Sequence, residues 1–163
     1  MAPREPSRPP RRSLATIGYQ GATPDGFRRA LEKAEVELLV DIRAVASSRR
    51  PGFSKTKLAA GVEDVGIGYL HLRALGTPAD GRAAARAGKH AEMRVIFLAH
   101  MATPDAQAAL ADLAEIVRGG QRVCLLCFEA DPAHCHRNIV AAQLADVVPL
   151  EIVHLFPDAD PLF

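Results

Sequence analysis

The chain has 163 residues, of which 48% are hydrophobic and 24% are charged, as is typical of one globular domain. A formal net charge of +1 gives no global field that would favour nucleic acid or a membrane surface. Three cysteines without a secretory signal argue against a disulfide scaffold, and no apolar run is long enough to span a membrane. We therefore expect a cytoplasmic protein.

The first part of the chain alternates between strand and helix patterns. A Pro- and Arg-rich segment over residues 1–13 predicts a disordered tail, and the apolar segment 14–19 predicts a strand. Thr23 and Pro24 then form a helix cap followed by a first-turn proline. The nearly continuous apolar run at 37–42 predicts a strand that is covered on both faces.

The middle of the chain begins with a polar segment over residues 47–55, whose serines, arginines and Pro-Gly pair predict a loop. A second helix is predicted over 54–65 and a third strand over 67–72. The Ala-, Arg- and Gly-rich segment 73–89 has no clear periodicity, so the sequence leaves its conformation open.

The last part of the chain continues the alternation. Its predicted elements are helices over 91–101 and 104–117, a strand over 121–128, a helix from 133 or 135 to 146, and a strand over 150–155. Alternating strands and helices indicate a single three-layer α/β/α domain over residues 14–156. Its sheet should be mostly parallel with about five strands, and residues 157–163 form a short tail.

The stretch V-C-L-L-C-F-E-A-D-P-A-H-C-H-R at 123–137 contains the densest group of reactive side chains. The predicted strand brings Cys127 and Glu129 to its carboxyl end, and the following loop returns three more side chains to the same region. These are Cys135, His136 and Arg137. Because ligands of open parallel sheets bind at the carboxyl ends of the strands, the pattern predicts a site there.

Other predicted strand ends contribute further polar side chains to the same edge of the sheet. These are Tyr19, Asp41, Arg43, His71 and Arg73. Tyr69, inside the third strand, is a further candidate contact for the substrate. Arg43, Arg49 and Arg137 suit a phosphate or carboxylate, because guanidinium groups bind these oxygens in a bidentate manner. Asp41 either transfers protons or holds the arginines in place. Tyr69 and His71 are each open to a structural interpretation as well.

Cys135 is the first candidate nucleophile, because it lies where a helix begins and a helix N-terminus lowers the pKa of a thiol. The alternative is a cysteine that only packs. Cys127 is the second candidate, and His136, Asp41 or Glu129 would transfer protons. The alternative for the pair is a reversible disulfide between Cys127 and Cys135.

The same two cysteines could also bind zinc together with His134 or His136, but zinc needs four ligands and usually closer spacing. We therefore predict a site without metal or cofactor. Cys124 and Cys127 spell C-x-x-C, but a spacing of three on a strand places them on opposite faces. Cys124 is accordingly assigned to the core.

Six segments resemble the family known as domain of unknown function 488. They are T-I-G-Y-Q-G at 16–21, L-V-D-I-R at 39–43, S-R-R-P-G-F-S-K at 48–55, G-I-G-Y-L-H-L at 66–72, L-G-T-P at 75–78 and L-L-C-F-E-A-D-P-A-H-C-H-R at 125–137. The similarity covers roughly residues 14–146, and C-x-E-x(5)-C-H-R is its most specific motif. One departure is the absence, around Ala46, of a proline common after D-x-R.

The resemblance implies an α/β/α fold and an enzyme, but no reaction. Recurrent residues of the family fall on Asp41, Arg43, Arg49, Phe53, Tyr69, Cys127, Glu129, Cys135, His136 and Arg137. From the residues we predict an enzyme, a cysteine-dependent hydrolase or transferase, acting on a small anionic, phosphate-containing substrate. The first alternative is a non-catalytic redox or metal-binding module using Cys127 and Cys135. The second is a nucleic-acid-binding module, which low charge and 5% aromatic content disfavour.

Overall fold

Five strands form the middle layer of the computed structural model, which describes residues 12–158. They are β1 Arg12–Gly18, β2 Leu38–Asp41, β3 Gly68–His71, β4 Val123–Cys127 and β5 Leu150–Leu155. All pairings are parallel, and the strand order is β3-β2-β4-β1-β5. The predicted parallel sheet is confirmed, and the tail predicted over 1–13 lies outside the described residues except for the last two positions, which belong to β1.

Within residues 12–158, six α-helices connect the strands. They are α1 Pro24–Lys33, α2 Lys55–Glu63, α3 Ala79–Arg86, α4 His90–Met101, α5 Pro104–Arg118 and α6 His136–Val147. Thr23 caps α1 by accepting a hydrogen bond from the backbone N–H of Gly26, as the Thr-Pro pair predicted. Among the described residues, no helix is long and apolar enough to cross a membrane.

Two hydrophobic cores lie on opposite faces of the sheet, because side chains alternate along each strand. Val123 and Leu125 of β4 pack into the core covered by α3 to α6, whereas Cys124 and Leu126 pack into the core covered by α1 and α2. The three-layer α/β/α architecture is thereby confirmed. Cys124 is fully buried in the second core, as the strand geometry predicted.

The segment whose conformation the sequence left open contains a short 3-10 turn at Arg73–Leu75 followed by α3. Pro78 occupies the N-cap position of α3, where the lack of a backbone N–H costs nothing. Gly81 lies inside the helix, and a Cβ there would be 2.6 Å from the side chain of Thr77. A glycine that is needed for packing therefore obscured the helical pattern in the sequence.

Candidate functional site

The loop after β4 folds tightly over the end of β1. Gly18 pairs with Cys127 in the sheet, and a Cβ at Gly18 would lie only 1.8 Å from the carbonyl oxygen of Glu129. Only glycine permits this approach of the two backbones. Gln20 secures the loop, because its N–H donates to the Phe128 carbonyl and its side chain accepts from the Ala130 N–H. The segment T-I-G-Y-Q-G therefore positions Glu129.

Arg137 secures the same loop from α6. Its guanidinium is fully buried and donates to the carbonyl oxygens of Glu129 and Ala130 and to the hydroxyl of Thr16. The sequence predicted that Arg137 binds substrate directly. In the structure, all three guanidinium nitrogens instead donate to protein groups, two of them on the backbone of the loop, so Arg137 contacts Glu129 and not the pocket.

Asp41 and Arg43 form a buried ion pair on the face of the sheet covered by α1 and α2. Arg43 donates to Asp41 from its backbone N–H, at 3.0 Å, and from Nε and Nη2, at 2.9 and 2.8 Å. Its Nη1 also donates to the carbonyl oxygen of Phe53 and the hydroxyl of Tyr19. Tyr69 completes the group by donating its hydroxyl to Asp41. We call Asp41, Arg43, Tyr19 and Tyr69 the ion-pair cluster.

Charges in the ion-pair cluster stabilise one another. Burial opposes the charge of Arg43, but the hydrogen bonds and charge of Asp41 outweigh it and raise the pKa of the guanidinium. Burial, followed by the hydrogen bond to Asp41, also raises the pKa of Tyr69. His71 lies beside the cluster, with Nε2 2.7 Å from the carbonyl oxygen of Arg43. Of the two roles predicted for Asp41, the geometry supports holding the arginine.

The opposite face of the same strand ends contains a second buried group. Sγ of Cys127 lies 3.2 Å from Nδ1 of His136 and 3.3 Å from Oε2 of Glu129. Sγ of Cys135 lies 3.9 Å from the same Nδ1. Nε2 of His136 is 2.8 Å from the carbonyl oxygen of Ile42. We call Cys127, Cys135 and His136 the thiol–imidazole cluster.

Cys135 caps α6, and its sulfur accepts a hydrogen bond from the backbone N–H of Arg137. The sequence predicted a lowered thiol pKa at this helix start. Burial outweighs that effect and raises the pKa of Cys135 well above the ordinary value, with Cys127 adding to the shift. For His136, burial opposes protonation, but the contacts with Cys135 and Ile42 outweigh it and raise the imidazole pKa.

A pocket of about 430 Å³ lies above the thiol–imidazole cluster. Its wall includes Cys127, His136 and Glu129, but not Cys135. Further lining side chains are Tyr19, Arg43, Val45, Ser47, Thr77, Arg82, Ala85, Arg86, Met93, Phe128 and His134. Among the two cysteines considered as nucleophiles, Cys127 is therefore the one in contact with the pocket.

Several residues predicted to bind substrate lie outside this pocket. Arg49 is exposed and lines a separate depression next to Gln20. Asp41 is fully buried, and neither it nor Tyr69 or His71 belongs to the pocket wall. Tyr19 and Arg43 do reach the wall, so the ion-pair cluster contacts the pocket through these two side chains.

Arg82 and Arg86 are lining residues that the sequence analysis missed. Both are on α3, and their spacing of four residues places them on one face of the helix. Nη1 of Arg82 donates to the Thr77 carbonyl oxygen at 2.9 Å, which orients the guanidinium. The spacing of four residues between the two arginines could have predicted a shared helix face, but only if the segment had first been recognised as a helix.

Comparison with known proteins identifies a family without a known activity. A family model described as "Domain of unknown function DUF488" matches residues 23–144, which are well over half of the chain. No curated protein and no solved structure gives a significant match. The resemblance seen in the sequence motifs is confirmed, and the matched range contains the whole thiol–imidazole cluster.

Proposed function

We propose that this chain, which belongs to the DUF488 family, is an enzyme that acts on a small anionic substrate bound in the pocket above Cys127. One observation supports the proposal most strongly. The same cavity contacts two arginines of α3 and three potentially reactive groups, namely Cys127, His136 and Glu129. Anion-binding groups and groups that exchange protons or attack electrophiles are therefore within reach of one small molecule.

The charge of the pocket favours an anion. Arg43 is neutralised by Asp41 at 2.8 Å, so the cationic groups left to a ligand are Arg82 and Arg86. Glu129 is the one carboxylate among the lining side chains, and it lies next to Cys127. A phosphate or carboxylate would contact the guanidinium groups, and the reacting part of the substrate would face Cys127 and Glu129.

The proposed reaction class is hydrolysis or group transfer at an electrophilic centre near the substrate's anionic group. Glu129 is half-buried in the pocket wall and is the group placed to accept and return a proton. The pocket floor offers either the Cys127 sulfur itself or water bound at that point as the nucleophile. Arg137, Gly18 and Gln20 serve this chemistry indirectly by holding the backbone of Glu129.

Anion binding is testable with inorganic phosphate as the probe. Isothermal titration calorimetry should detect phosphate binding to the wild type, and the double variant Arg82→Gln, Arg86→Gln should bind at least about tenfold more weakly, since charge-assisted hydrogen bonds are lost. Arg94→Gln is the matched control, because Arg94 is an exposed arginine of the neighbouring helix α4 outside the pocket wall. Equal binding by wild type and double variant would reject the proposal.

A further inference from the structure

We infer that the thiol–imidazole cluster is a zinc site, in which Cys127, Cys135 and His136 bind one Zn²⁺ ion and a fourth position faces the pocket beside Glu129. The inference rests on the proposed function and deepens it: Cys127 would serve as a metal ligand, which leaves bound water as the nucleophile at the floor of the same pocket. Two thiolates and one imidazole are ligands that zinc prefers over harder cations such as magnesium.

Distances within the cluster match those of a zinc site. The three donor atoms all lie within 4.8 Å of one another, and the two sulfurs are 3.2 and 3.9 Å from Nδ1 of His136. With Zn–S near 2.3 Å and Zn–N near 2.0 Å, tetrahedral geometry places a sulfur and a nitrogen ligand roughly 3.5 Å apart. One ion can therefore contact all three atoms with only small adjustments.

The orientation of His136 favours a metal. A carbonyl oxygen can only accept hydrogen bonds, so the 2.8 Å contact between Ile42 and Nε2 requires the proton to be on Nε2. When the ring is neutral, as a metal ligand must be, Nδ1 directs a lone pair toward the two sulfurs. A backbone carbonyl that holds the distal N–H of a ligating histidine is a usual outer partner of zinc sites.

Both sulfurs approach the same ring nitrogen of His136. Without a metal, the Cys127 thiol has Oε2 of Glu129 as an acceptor, and the Cys135 sulfur accepts from the Arg137 N–H. A disulfide between the cysteines would give His136 no role. One metal ion, by contrast, uses all three donor atoms at once.

With zinc bound, the buried site would have no net charge. All three side chains are buried, with 3 to 6% of their surface exposed. Zn²⁺, two thiolates and one neutral imidazole sum to zero, so the complex avoids the cost of burying an isolated charge. The ligands lie at the end of β4 and the start of α6, which are both well packed, and the site is therefore preorganised.

The fourth position is open toward the pocket. Cys127 and His136 are in the pocket wall, whereas Cys135 is behind them, so an ion between the three faces the cavity. Oε2 of Glu129 lies 3.3 Å from the Cys127 sulfur, which places its carboxylate next to that position. Catalytic zinc sites commonly combine three protein ligands with one such open position.

Metal uptake tests the inference without an activity assay. Chelator-treated, reduced protein is titrated with Co²⁺, whose thiolate complexes give sulfur-to-metal charge-transfer absorption and visible bands characteristic of tetrahedral geometry. We expect one Co²⁺ per chain, displacement by one Zn²⁺, and a loss of at least about tenfold in affinity for Cys127→Ser, Cys135→Ser and His136→Gln. Cys124→Ala, on the other face of β4, is the matched control and should bind as the wild type does.

Three results would overturn the zinc site. They are wild-type protein that binds no metal, spectra without thiolate charge transfer, and equal uptake by the three ligand variants. The first two results are obtained with the wild type alone, so they would reject the zinc site even if the variants failed to fold. Phosphate binding by the metal-free protein separates the two proposals. If the protein binds phosphate but takes up no metal, the zinc site is rejected and the anion-binding pocket is retained.

Discussion

The ion-pair cluster and the thiol–imidazole cluster lie at the same edge of the sheet, on its two faces, and differ in how their polar atoms are used. Both oxygens of Asp41 accept hydrogen bonds from protein groups, and the three guanidinium nitrogens of Arg43 all find acceptors. In the thiol–imidazole cluster, two sulfurs, which are weak hydrogen-bonding groups, converge on one ring nitrogen.

The difference indicates that the two clusters have different roles, one structural and one suited to binding a ligand. A buried polar group with all partners in place is complete without a ligand, and it fixes the backbone of β2 and the loop that follows. A group of metal-ligating atoms that converge beside a cavity has capacity left for an ion or a substrate. Burial alone, which the clusters share, therefore does not distinguish structural from functional residues here.

The largest expected effect is the loss of stability when the ion-pair cluster is broken. Asp41→Ala leaves Arg43 charged, buried and without its carboxylate, and should lower the free energy of unfolding by about 3–5 kcal/mol in urea denaturation. Asp25→Ala is the control, because Asp25 pairs with Arg28 at the surface. There the expected loss is below about 1 kcal/mol. Equal losses in the two variants would contradict the structural role of Asp41.

Zinc should stabilise the protein through the thiol–imidazole cluster. At free zinc about 100 times the dissociation constant, the free energy of unfolding should rise by about 2.7 kcal/mol in the wild type. Cys135→Ser should show little of this rise. Without zinc, Cys135→Ser should lose less unfolding free energy relative to the wild type than Asp41→Ala does. A rise of the same size in Cys135→Ser would place the metal elsewhere.

A smaller effect is expected when one hydrogen bond is removed from the ion-pair cluster and the charges stay. Tyr69→Phe removes the hydroxyl that donates to Asp41 and should cost about 1–2 kcal/mol of unfolding free energy. Asp41 keeps its three contacts with Arg43 in this variant. A loss as large as that of Asp41→Ala would mean that Tyr69 does more than complete the group.

The smallest expected effect is on stability in alkaline solution. The pKa of Tyr69 is raised in the folded protein by burial and by Asp41, so its contribution is present below the ordinary tyrosine pKa of about 10 and is lost as pH rises above it. Denaturation measured at pH 9 and 10.5 should therefore show a larger decline for the wild type than for Tyr69→Phe. Identical declines would show that Tyr69 ionises equally easily in both states.

Much of the fold follows from local sequence patterns. The nearly continuous apolar run of β2 and the Thr-Pro cap of α1 predicted these elements within a few residues. Helix α3 was missed because Gly81 and alanines replace the apolar stripe on which helix prediction depends. Arg82 and Arg86 were missed for the same reason.

The candidate site was predicted in its composition but not in its internal geometry. The order strand, loop, helix was sufficient to bring Cys127, Glu129, Cys135 and His136 together. The choice between the cysteines was not available from sequence, since the face of β4 and the depth of the α6 N-terminus determine which sulfur reaches the cavity. Two of the three partners of Arg137 are backbone carbonyl oxygens, which cannot be read from residue types.

Zinc-edge X-ray absorption on the zinc-loaded wild-type protein tests the central claim most directly. The account predicts two sulfur ligands near 2.3 Å and one imidazole nitrogen near 2.0–2.1 Å, with one further light atom at the open position. Removal of one sulfur from this shell is expected in Cys127→Ser. A wild-type spectrum with only oxygen and nitrogen ligands would contradict the zinc site at the floor of the pocket.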